Sequence, residues 1–307
     1  MAPGGPRVTA VIVTYQSAHT IGRAMEAARK SHQCGLLDCV VVDNGSNDAT
    51  ATLLKRDSNW ANVVLTGKNN GFGRGCNVGL QLSKTPYTVF INPDAVVSPD
   101  ALRTMIDFLD SNPRVGIVGP AILEGEADAE PTLQETGERA TPASVLRSAL
   151  PWRRKRPLSR PIKPGAAGVR TGWVCGAVLM ARTDLMQRLG GFDPRFFLYW
   201  EEIDVCKRAE GLGFEVWALG AAVAHHVGGA SSSPDDTRLS GCVAKHYLQS
   251  RYYYMVKHHG WLAAAVAEGG EFVLLSLRSV LGMVRGRGLG WLRSRMETPL
   301  FSLPAQG

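Results

Sequence analysis

One carboxylate in this sequence follows a predicted strand directly, at a position where open α/β sheets bind ligands. Asp94 comes after the run Tyr87 to Ile91, whose β-branched and aromatic residues predict a buried strand. Asn92 and Pro93 end that strand, because proline lacks an N–H and restricts the residue before it. At the carboxyl end of a strand, Asp94 could hold a divalent cation on a nucleotide diphosphate, or it could cap a turn before the next helix.

Two further groups of polar side chains lie in the second half of the chain. Glu201 and Glu202 open a predicted helix, where the helix dipole favours acids. Consecutive helical residues diverge by about 100°, so these two glutamates cannot do the same job. His225 and His226 end a predicted strand before a Gly-Gly-Ala-Ser turn, and neighbours in a strand face opposite ways. Each group also has an ordinary structural explanation. The glutamates can be acids that stabilise the start of a helix, and a histidine on such a strand is often a core or surface residue.

A glycine-rich segment extends from Gly67 to Gly79. Glycines let backbone N–H groups approach an anion, and a helix that begins beyond them adds a partial positive charge. The spacing GxGxxxG differs from the dinucleotide-binding fingerprint, and the segment follows the third predicted strand rather than the first. We therefore reject a nicotinamide-dependent oxidoreductase.

Strands that alternate with helices would position these groups, and this order predicts a doubly wound, mostly parallel sheet. From residue 124 to residue 168 the pattern breaks down, which predicts a long mobile loop. The predicted strands are 9–15, 36–43, 62–65, 87–91, 115–120, 171–182, 214–219 and 221–227, and the predicted helices of the first half are 20–31, 49–55 and 99–112.

The C-terminal part differs in character from the rest. We expect a catalytic domain over residues 1–235 and a helical, basic extension over residues 236–307. Residues 262–284 are mostly apolar and several arginines follow, which favours a helix on an anionic membrane surface. The alternative is a pair of helices that covers the catalytic domain, with solvated arginines. No segment reaches the roughly 18 to 20 apolar residues that span a bilayer.

Composition restricts the class of partner. The 307 residues carry a formal net charge of +7, which favours an anionic partner. The basic residues cluster in the loop and the tail and do not interleave with an aromatic RNA-binding motif, so we expect no nucleic acid. Six cysteines form no CxxC pair, and the N-terminus lacks the apolar region of a signal peptide. We expect a cytoplasmic protein with reduced thiols.

Six blocks of the sequence, taken together, resemble the inverting glycosyltransferases of family 2, which have the GT-A fold. The resemblance covers residues 7–260 and implies a Rossmann-like, mostly parallel central sheet flanked by helices, with a C-terminal helical extension. Within the family the pattern looks most like bacterial rhamnosyltransferases that extend a polyprenyl-diphosphate-linked sugar. The blocks are VIVTY (11–15), VVDNGSNDAT (41–50), NNGFGRGCNVG (69–79), FINPDA (90–95), GGFDPRFFLYWEEIDVCKR (190–208) and HHVGGASS (225–232).

This resemblance implies a donor site at the ends of the first strands and in the glycine-rich segment. The carboxylate of Asp43 can accept the imide N–H of uracil or thymine, although an Asx turn with Asn44 and Gly45 also explains it. The residues that the resemblance assigns to the nucleotide sugar are Thr14, Tyr15, Asp43, Asn70, Gly71, Arg74 and Asn92.

The resemblance also implies a metal site and a base. Asp94 would bind Mg²⁺ or Mn²⁺, and because Asn92 stands at the first position of the usual DxD pattern, a second protein ligand is expected. His226 is the candidate for it. Glu202 matches the family's catalytic base, and Trp200 and Glu201 would lie on the acceptor side.

The hypothesis from sequence is a metal-dependent inverting glycosyltransferase of cell-envelope polysaccharide synthesis. It would move a sugar from a nucleotide-diphosphate donor, with dTDP-L-rhamnose as the candidate, to a hydroxyl of a glycan or polyprenyl-linked acceptor. We place it at the cytoplasmic face of a bacterial plasma membrane, and leave open whether it forms a homodimer. The alternative is a non-catalytic nucleotide-sugar or carbohydrate-binding protein of the same fold.

Overall fold

The computed structural model describes residues 5–57, 59–125, 132–133, 135–150, 160–227, 242–283 and 301–303. The basic residues 153–156 of the predicted loop, the turn 228–232 and the C-terminal arginines lie outside these residues. The chain divides into two units. The first, the sheet unit, comprises Met1–Gly137, Arg160–Pro194 and Glu201–Gly228, and the second, the helical unit, comprises Glu138–Ser159, Arg195–Trp200 and Gly229–Gly307.

Strands and helices alternate through the first half of the chain, as the sequence predicts. The strands are β1 (Val8–Thr14), β2 (Leu37–Asp43), β3 (Asn62–Leu65), β4 (Tyr87–Ile91), β5 (Ala95–Val97), β6 (Val115–Glu124), β7 (Thr132–Leu133), β8 (Glu135–Thr136), β9 (Arg160–Pro161), β10 (Val169–Thr171), β11 (Val178–Arg182) and β12 (Glu215–His226). The helices are α1 (Ile21–Gln33), α2 (Thr50–Asp57), α3 (Phe72–Leu82), α4 (Pro99–Ser111), α5 (Pro142–Ser148), α6 (Thr183–Arg188), α7 (Glu201–Gly211), α8 (Cys242–His259) and α9 (Trp261–Met283).

The described part of the chain forms a ten-stranded sheet in the order β10-β12-β6-β11-β4-β1-β2-β3, with β5 beside β12 and β7 beside β6. The strands β3, β2, β1 and β4 are parallel neighbours, and β6 and β12 are also parallel. β11 joins these two groups by antiparallel pairing with β4 and β6. The result is the mostly parallel sheet that the sequence predicts, with antiparallel strands added.

Both faces of the sheet are covered, which explains the unbroken apolar runs in the sequence. Every residue of β1 is buried, with Val8, Ala10 and Ile12 in one core and Val11 and Val13 in the other. Helices α1 and α4 pack in the first core, and α3, α6 and α7 pack in the second.

Helix α3 approaches β1 closely because two of its residues have no side chain. An ideal Cβ at Gly75 would lie 2.6 Å from Cγ1 of Val13, and one at Gly79 would lie 2.3 Å from Cγ1 of Val11. Any larger residue would push the helix away from the sheet. The last two glycines of the GxGxxxG spacing therefore allow the close packing of α3 on β1, a role that the sequence alone did not indicate.

The predicted long loop 124–168 contains regular structure, and the expectation is wrong there. Helix α5 begins after Thr141, whose side chain accepts a hydrogen bond from the backbone N–H of Ser144, while the Ser144 hydroxyl accepts one from the backbone N–H of Thr141. Pro142 stands in the first turn, where its missing N–H costs nothing. Strands β7, β8 and β9 also lie in this interval.

Several other strands also differ from the predictions. The two strands expected over 214–227 form one, β12, whose register with β6 shifts between Leu219 and Val223. Gly220 permits this irregularity, since a Cβ there would lie 2.5 Å from the carbonyl oxygens of Ala166 and Lys163. The strand expected over 171–182 is divided into β10 and β11, and β5 was not predicted at all.

A buried ion cluster joins α8 to α9 in the helical unit. The guanidinium of Arg251 donates to both carboxylate oxygens of Glu268 at 2.8 Å and to Oε1 of Glu271 at 2.9 Å. Burial opposes the charge on Arg251, but the two carboxylates raise its pKa well above the ordinary value. In the described part of the chain, no helix is both long and apolar enough to cross a membrane.

We predict that Arg251→Met destabilises the protein by about 3–5 kcal/mol, because it leaves two buried carboxylates without their cation. Denaturant unfolding measures the change. The matched control is Arg103→Met, which breaks an exposed ion pair with Asp100 on α4 and should cost less than about 1 kcal/mol. Equal losses for the two variants would contradict the prediction.

Candidate active site

Asp94 and His226 meet because short strand pairings hold both backbones. β5 pairs antiparallel with β12, with Ala95 opposite His226, and the backbone N–H of Val227 donates to the carbonyl of Asp94 at 3.1 Å. The side chains follow the backbones, and His226 Nε2 lies 3.1 Å from Asp94 Oδ1. The amide nitrogen of Asn92 lies 3.5 Å from the same Nε2. The strand end therefore presents a carboxylate and an imidazole side by side.

The two neighbouring histidines face opposite ways, as strand geometry predicts. His226 is buried, with 1% of its side chain exposed, whereas His225 is exposed on the other side of β12. Of the two, His226 is the residue that contacts Asp94.

The sequence predictions missed Glu124, which faces the second nitrogen of His226. Glu124 ends β6 and lies opposite His226 in the parallel register of β6 and β12. Its Oε1 lies 3.9 Å from His226 Nδ1, and this nitrogen has no hydrogen-bond partner among the described residues. Glu124 is an acid at the carboxyl end of a strand, which is the feature that identified Asp94. It was missed because the strand was predicted to end at residue 120.

A third carboxylate, that of Glu202, lies near the same residues as those of Asp94 and Glu124. Burial raises the pKa of Cys175 well above its ordinary value, and the charges of Glu202, Glu124 and Asp94 raise it further. Gly176 packs against Glu202, since an ideal Cβ there would lie 3.5 Å from Glu202 Cβ. Glu202 therefore lies close to the residues around Asp94. No set of three or more histidine, cysteine, aspartate or glutamate side chains among the described residues has the spacing of a complete metal site.

Glu201 and Glu202 occupy different environments, as one residue of helical rotation requires. Glu201 is 4% exposed, and burial followed by the charge of Glu202 raises its pKa well above the ordinary value. Its Oε2 has no hydrogen-bond partner in the described part of the chain. Burial raises the pKa of Cys76 on α3 well above its ordinary value, and the nearby Glu201 raises it further. Asp204 serves structure, because it pairs with Arg208 at 2.7 Å.

The ends of β1 and β2 offer two buried oxygens that could meet a ligand. Thr14 and Asp43 are partners in the parallel register, and both are buried. Asp43 Oδ2 accepts a hydrogen bond from the backbone N–H of Ser46 at 3.1 Å, which is the turn contact. Asp43 Oδ1 and Thr14 Oγ1 have no partner among the described residues. Asp43 can therefore form the turn and still accept a bond from a nucleobase, while Tyr15 beside them is exposed.

Asn44 fixes the start of the glycine-rich segment to the end of β2. Its side-chain amide donates to Asn69 Oδ1 at 3.1 Å and to the carbonyl of Gly71 at 3.0 Å, and its Oδ1 accepts from the backbone N–H of Asn70. Gly71, with φ of 89°, precedes α3 as its N-cap residue. The guanidinium of Arg74 donates to the carbonyl of Pro194 at 2.9 Å.

Trp200 belongs to the helical unit. It has a positive φ of 72°, next to Tyr199 with φ of 67°, a backbone region that few residues other than glycine adopt. Its ring packs against Tyr247 and Tyr254, and its Nε1 has no hydrogen-bond partner among the described residues. An acceptor-side role for Trp200 stays a prediction.

The residues around Asp94 fit a divalent cation held together with a ligand. The carboxylate of Asp94 and the imidazole Nε2 of His226 are both suitable donors, and they already point at one another. Two protein donors make an incomplete coordination shell, so oxygens of a bound diphosphate would have to complete it.

The chain is similar in sequence to known proteins. The family model "Glycosyl transferase family 2" matches residues 9–174. An N-acetylglucosaminyl-diphospho-decaprenol L-rhamnosyltransferase of Mycobacterium tuberculosis is 25% identical over 248 residues, which cover 73% of this chain and 76% of the relative. The rhamnosyltransferase WbbL of Escherichia coli is 23% identical over 63% of this chain and 73% of the relative.

Among solved structures, a mannosyltransferase of Pyrobaculum calidifontis in complex with GDP-Man and Mn²⁺ has a TM-score of 0.57 at 16% identity, and the match covers 95% of this chain and 84% of that one. A GalNAc-T7 structure with UDP, GalNAc and Mn²⁺ has a TM-score of 0.53 at 12% identity, over 83% of this chain and 51% of that one. These likenesses confirm the predicted fold, a mostly parallel mixed sheet of the GT-A type.

We predict that Glu201→Gln changes how stability depends on pH. Folded wild type keeps a proton on Glu201 that the unfolded chain releases above about pH 4.3, so wild type loses stability as pH rises towards the raised pKa. The unfolding free energy of Glu201→Gln minus that of wild type should therefore grow as pH rises from about 5 to about 8. Urea unfolding over a pH series measures it. The exposed Glu26→Gln is the control, and a difference independent of pH would refute the raised pKa.

Proposed function

Because this chain belongs to glycosyltransferase family 2, we propose that it transfers a sugar from a nucleotide-diphosphate donor to a hydroxyl group, with inversion at the anomeric carbon. The observation that carries the proposal is the 3.1 Å contact between Asp94 and His226, together with the packing of Glu202 against Gly176. A donor-side metal site and a base for the acceptor would need these groups as neighbours.

The donor nucleotide would bind at the ends of β1 and β2. Asp43 Oδ1 and Thr14 Oγ1 are buried acceptors with no partner among the described residues, and an imide N–H and a ribose hydroxyl could bind them. The backbone of Gly71 and the first turn of α3 would face the sugar or the diphosphate, together with Asn70 and Arg74.

Asp94 and His226 would hold Mg²⁺ or Mn²⁺ against the diphosphate, with Asn92 beside them. A cation there supplies charge neutralisation for the departing diphosphate. Glu124 faces Nδ1 of His226, so its carboxylate favours the tautomer that carries the proton on Nδ1 and leaves Nε2 with a lone pair towards Asp94.

Glu202 would act as the base. Its carboxylate takes the proton of the acceptor hydroxyl while the acceptor oxygen bonds to the anomeric carbon, and the bond from that carbon to the diphosphate oxygen breaks on the opposite face. Glu201 keeps its own proton because it is buried. The proton on Glu201 leaves one negative charge fewer beside Glu202, and the two glutamates can play different parts.

More specifically, we propose that the transferred sugar is L-rhamnose and that the acceptor is linked to a polyprenyl diphosphate. The Mycobacterium relative, named for both, aligns over 73% of this chain. Released nucleotide diphosphate, measured with a panel of nucleotide sugars including dTDP-L-rhamnose, tests the donor.

A cytoplasmic location suits the buried thiols of Cys39, Cys76 and Cys206.

We predict that Asp94→Asn lowers the transfer rate at least about 100-fold, because removing one group that stabilises developing charge typically costs that much. Binding of the nucleotide diphosphate in the presence of Mn²⁺ should weaken with it, as measured by calorimetry. Asp100→Asn, an exposed aspartate on α4, is the control. If EDTA leaves the wild-type rate unchanged, the metal role of Asp94 and His226 is wrong.

We predict that Glu202→Gln lowers the transfer rate by about 100- to 10,000-fold while donor affinity stays within a few-fold of wild type, because the base contacts the acceptor hydroxyl and not the diphosphate. Glu201→Gln should lose less activity. If Glu201→Gln is instead the inactive variant, the catalytic base is Glu201 and not Glu202. A chain that binds nucleotide sugar but transfers none with any acceptor would be the non-catalytic binding protein instead.

A further inference from the structure

Helix α9 has an apolar face towards solvent. Five large apolar residues on it are between 55% and 69% exposed. At 3.6 residues per turn, four of them fall within an arc of about 60° on one side of the helix. These four, which we call the outer face of α9, are Leu262, Val266, Val273 and Leu277, and the fifth is Trp261 at the start of the helix.

The opposite side of α9 is buried and carries charge. It packs against α5 and α8, and its buried residues include Ala264, Ala267 and Leu275 together with Glu268 and Glu271. In a water-soluble helix the arrangement is normally reversed, with apolar residues inside and acids outside.

The ion cluster fixes this orientation. Rotating α9 to bury its outer face would pull Glu268 and Glu271 away from Arg251 on α8 and leave buried charges without partners. The apolar side therefore cannot turn inwards by a change in the helix alone. An apolar face of this size, held outwards, is typical of a surface that meets a partner.

Charge favours a lipid partner over a second copy of the chain. Helix α8 ends in Lys257, His258 and His259 just before α9, and four arginines follow α9 in the sequence. A second copy packed on the outer face would add to this positive charge, whereas an anionic lipid surface would neutralise it. Trp261 also suits the boundary between headgroups and acyl chains. The arginines are Arg285, Arg287, Arg293 and Arg295.

We propose that the outer face of α9 binds the surface of an anionic phospholipid bilayer, with the helix lying in the plane of that surface. The apolar side chains enter the boundary of the acyl chains, and the flanking cations stay at the headgroups. This proposal concerns the helical unit and does not depend on the transfer reaction.

The test is co-sedimentation of the full chain with phosphatidylcholine vesicles that either contain or lack phosphatidylglycerol, with no sugar donor or acceptor present. Wild type should bind the anionic vesicles, more weakly at high salt. The double variant Leu262→Ser/Leu277→Ser should lower the partition coefficient by roughly 100-fold, about tenfold for each apolar side chain removed. The matched control, Leu82→Ser/Leu212→Ser, changes two exposed leucines of the sheet unit and should bind as wild type does.

Two further readouts decide the outcome. Brominated lipid should quench wild-type fluorescence more than that of Trp261→Phe, and circular dichroism should show the same fold in all variants. Equal binding by the test and control variants, or no binding by wild type, would overturn the proposal. So would a wild-type dimer that the Leu262→Ser/Leu277→Ser variant converts to a monomer, because a second copy would then cover the outer face.

Discussion

β12 pairs with three strands at once, and the arrangement of the candidate site depends on that pairing. Its contact with β5 puts His226 beside Asp94, and its contact with β6 puts the same histidine opposite Glu124. The three residues are far apart in the sequence, so no local feature of the chain could assemble them. Side-chain alternation then decides which histidine faces inwards. The register of one strand thus selects both the residue and its partners.

The two adjacent glutamates, Glu201 and Glu202, differ in how deeply they are buried. Glu201 is buried, which raises the pKa of its carboxyl group well above the ordinary value, whereas Glu202 is partly exposed and packs against Gly176 beside Cys175. Identical side chains in successive positions therefore have different surroundings, because the helix turns them in different directions. In the helical unit two buried carboxylates, those of Glu268 and Glu271, instead share the guanidinium of Arg251 as their partner.

Much of the sheet unit could be predicted because its strands are buried on both faces. Unbroken apolar runs mark β1, β2 and β4, and Asn92-Pro93 marks the end of β4, so the position of Asp94 followed from sequence alone. Glu124 could not be found in the same way, since its importance comes from a register with a strand about a hundred residues later. Helix α5 was missed because the prolines around it outweighed its capping box. For α9 the sequence shows an apolar helix, but only the contact with Arg251 shows which side faces outwards.

The two glycines of α3 that lie against β1 have a consequence for how such an enzyme could acquire a new donor. The helix is seated on the sheet by Gly75 and Gly79, which meet Val13 and Val11 and tolerate no replacement without displacing the whole element. Its first turn, by contrast, carries side chains such as Arg74 that take no part in this seating. Positions at the start of the helix can therefore vary in a directed-evolution library while the helix keeps its place. The glycines that hold the helix to the sheet and the side chains that can vary therefore occupy neighbouring positions of a single helix.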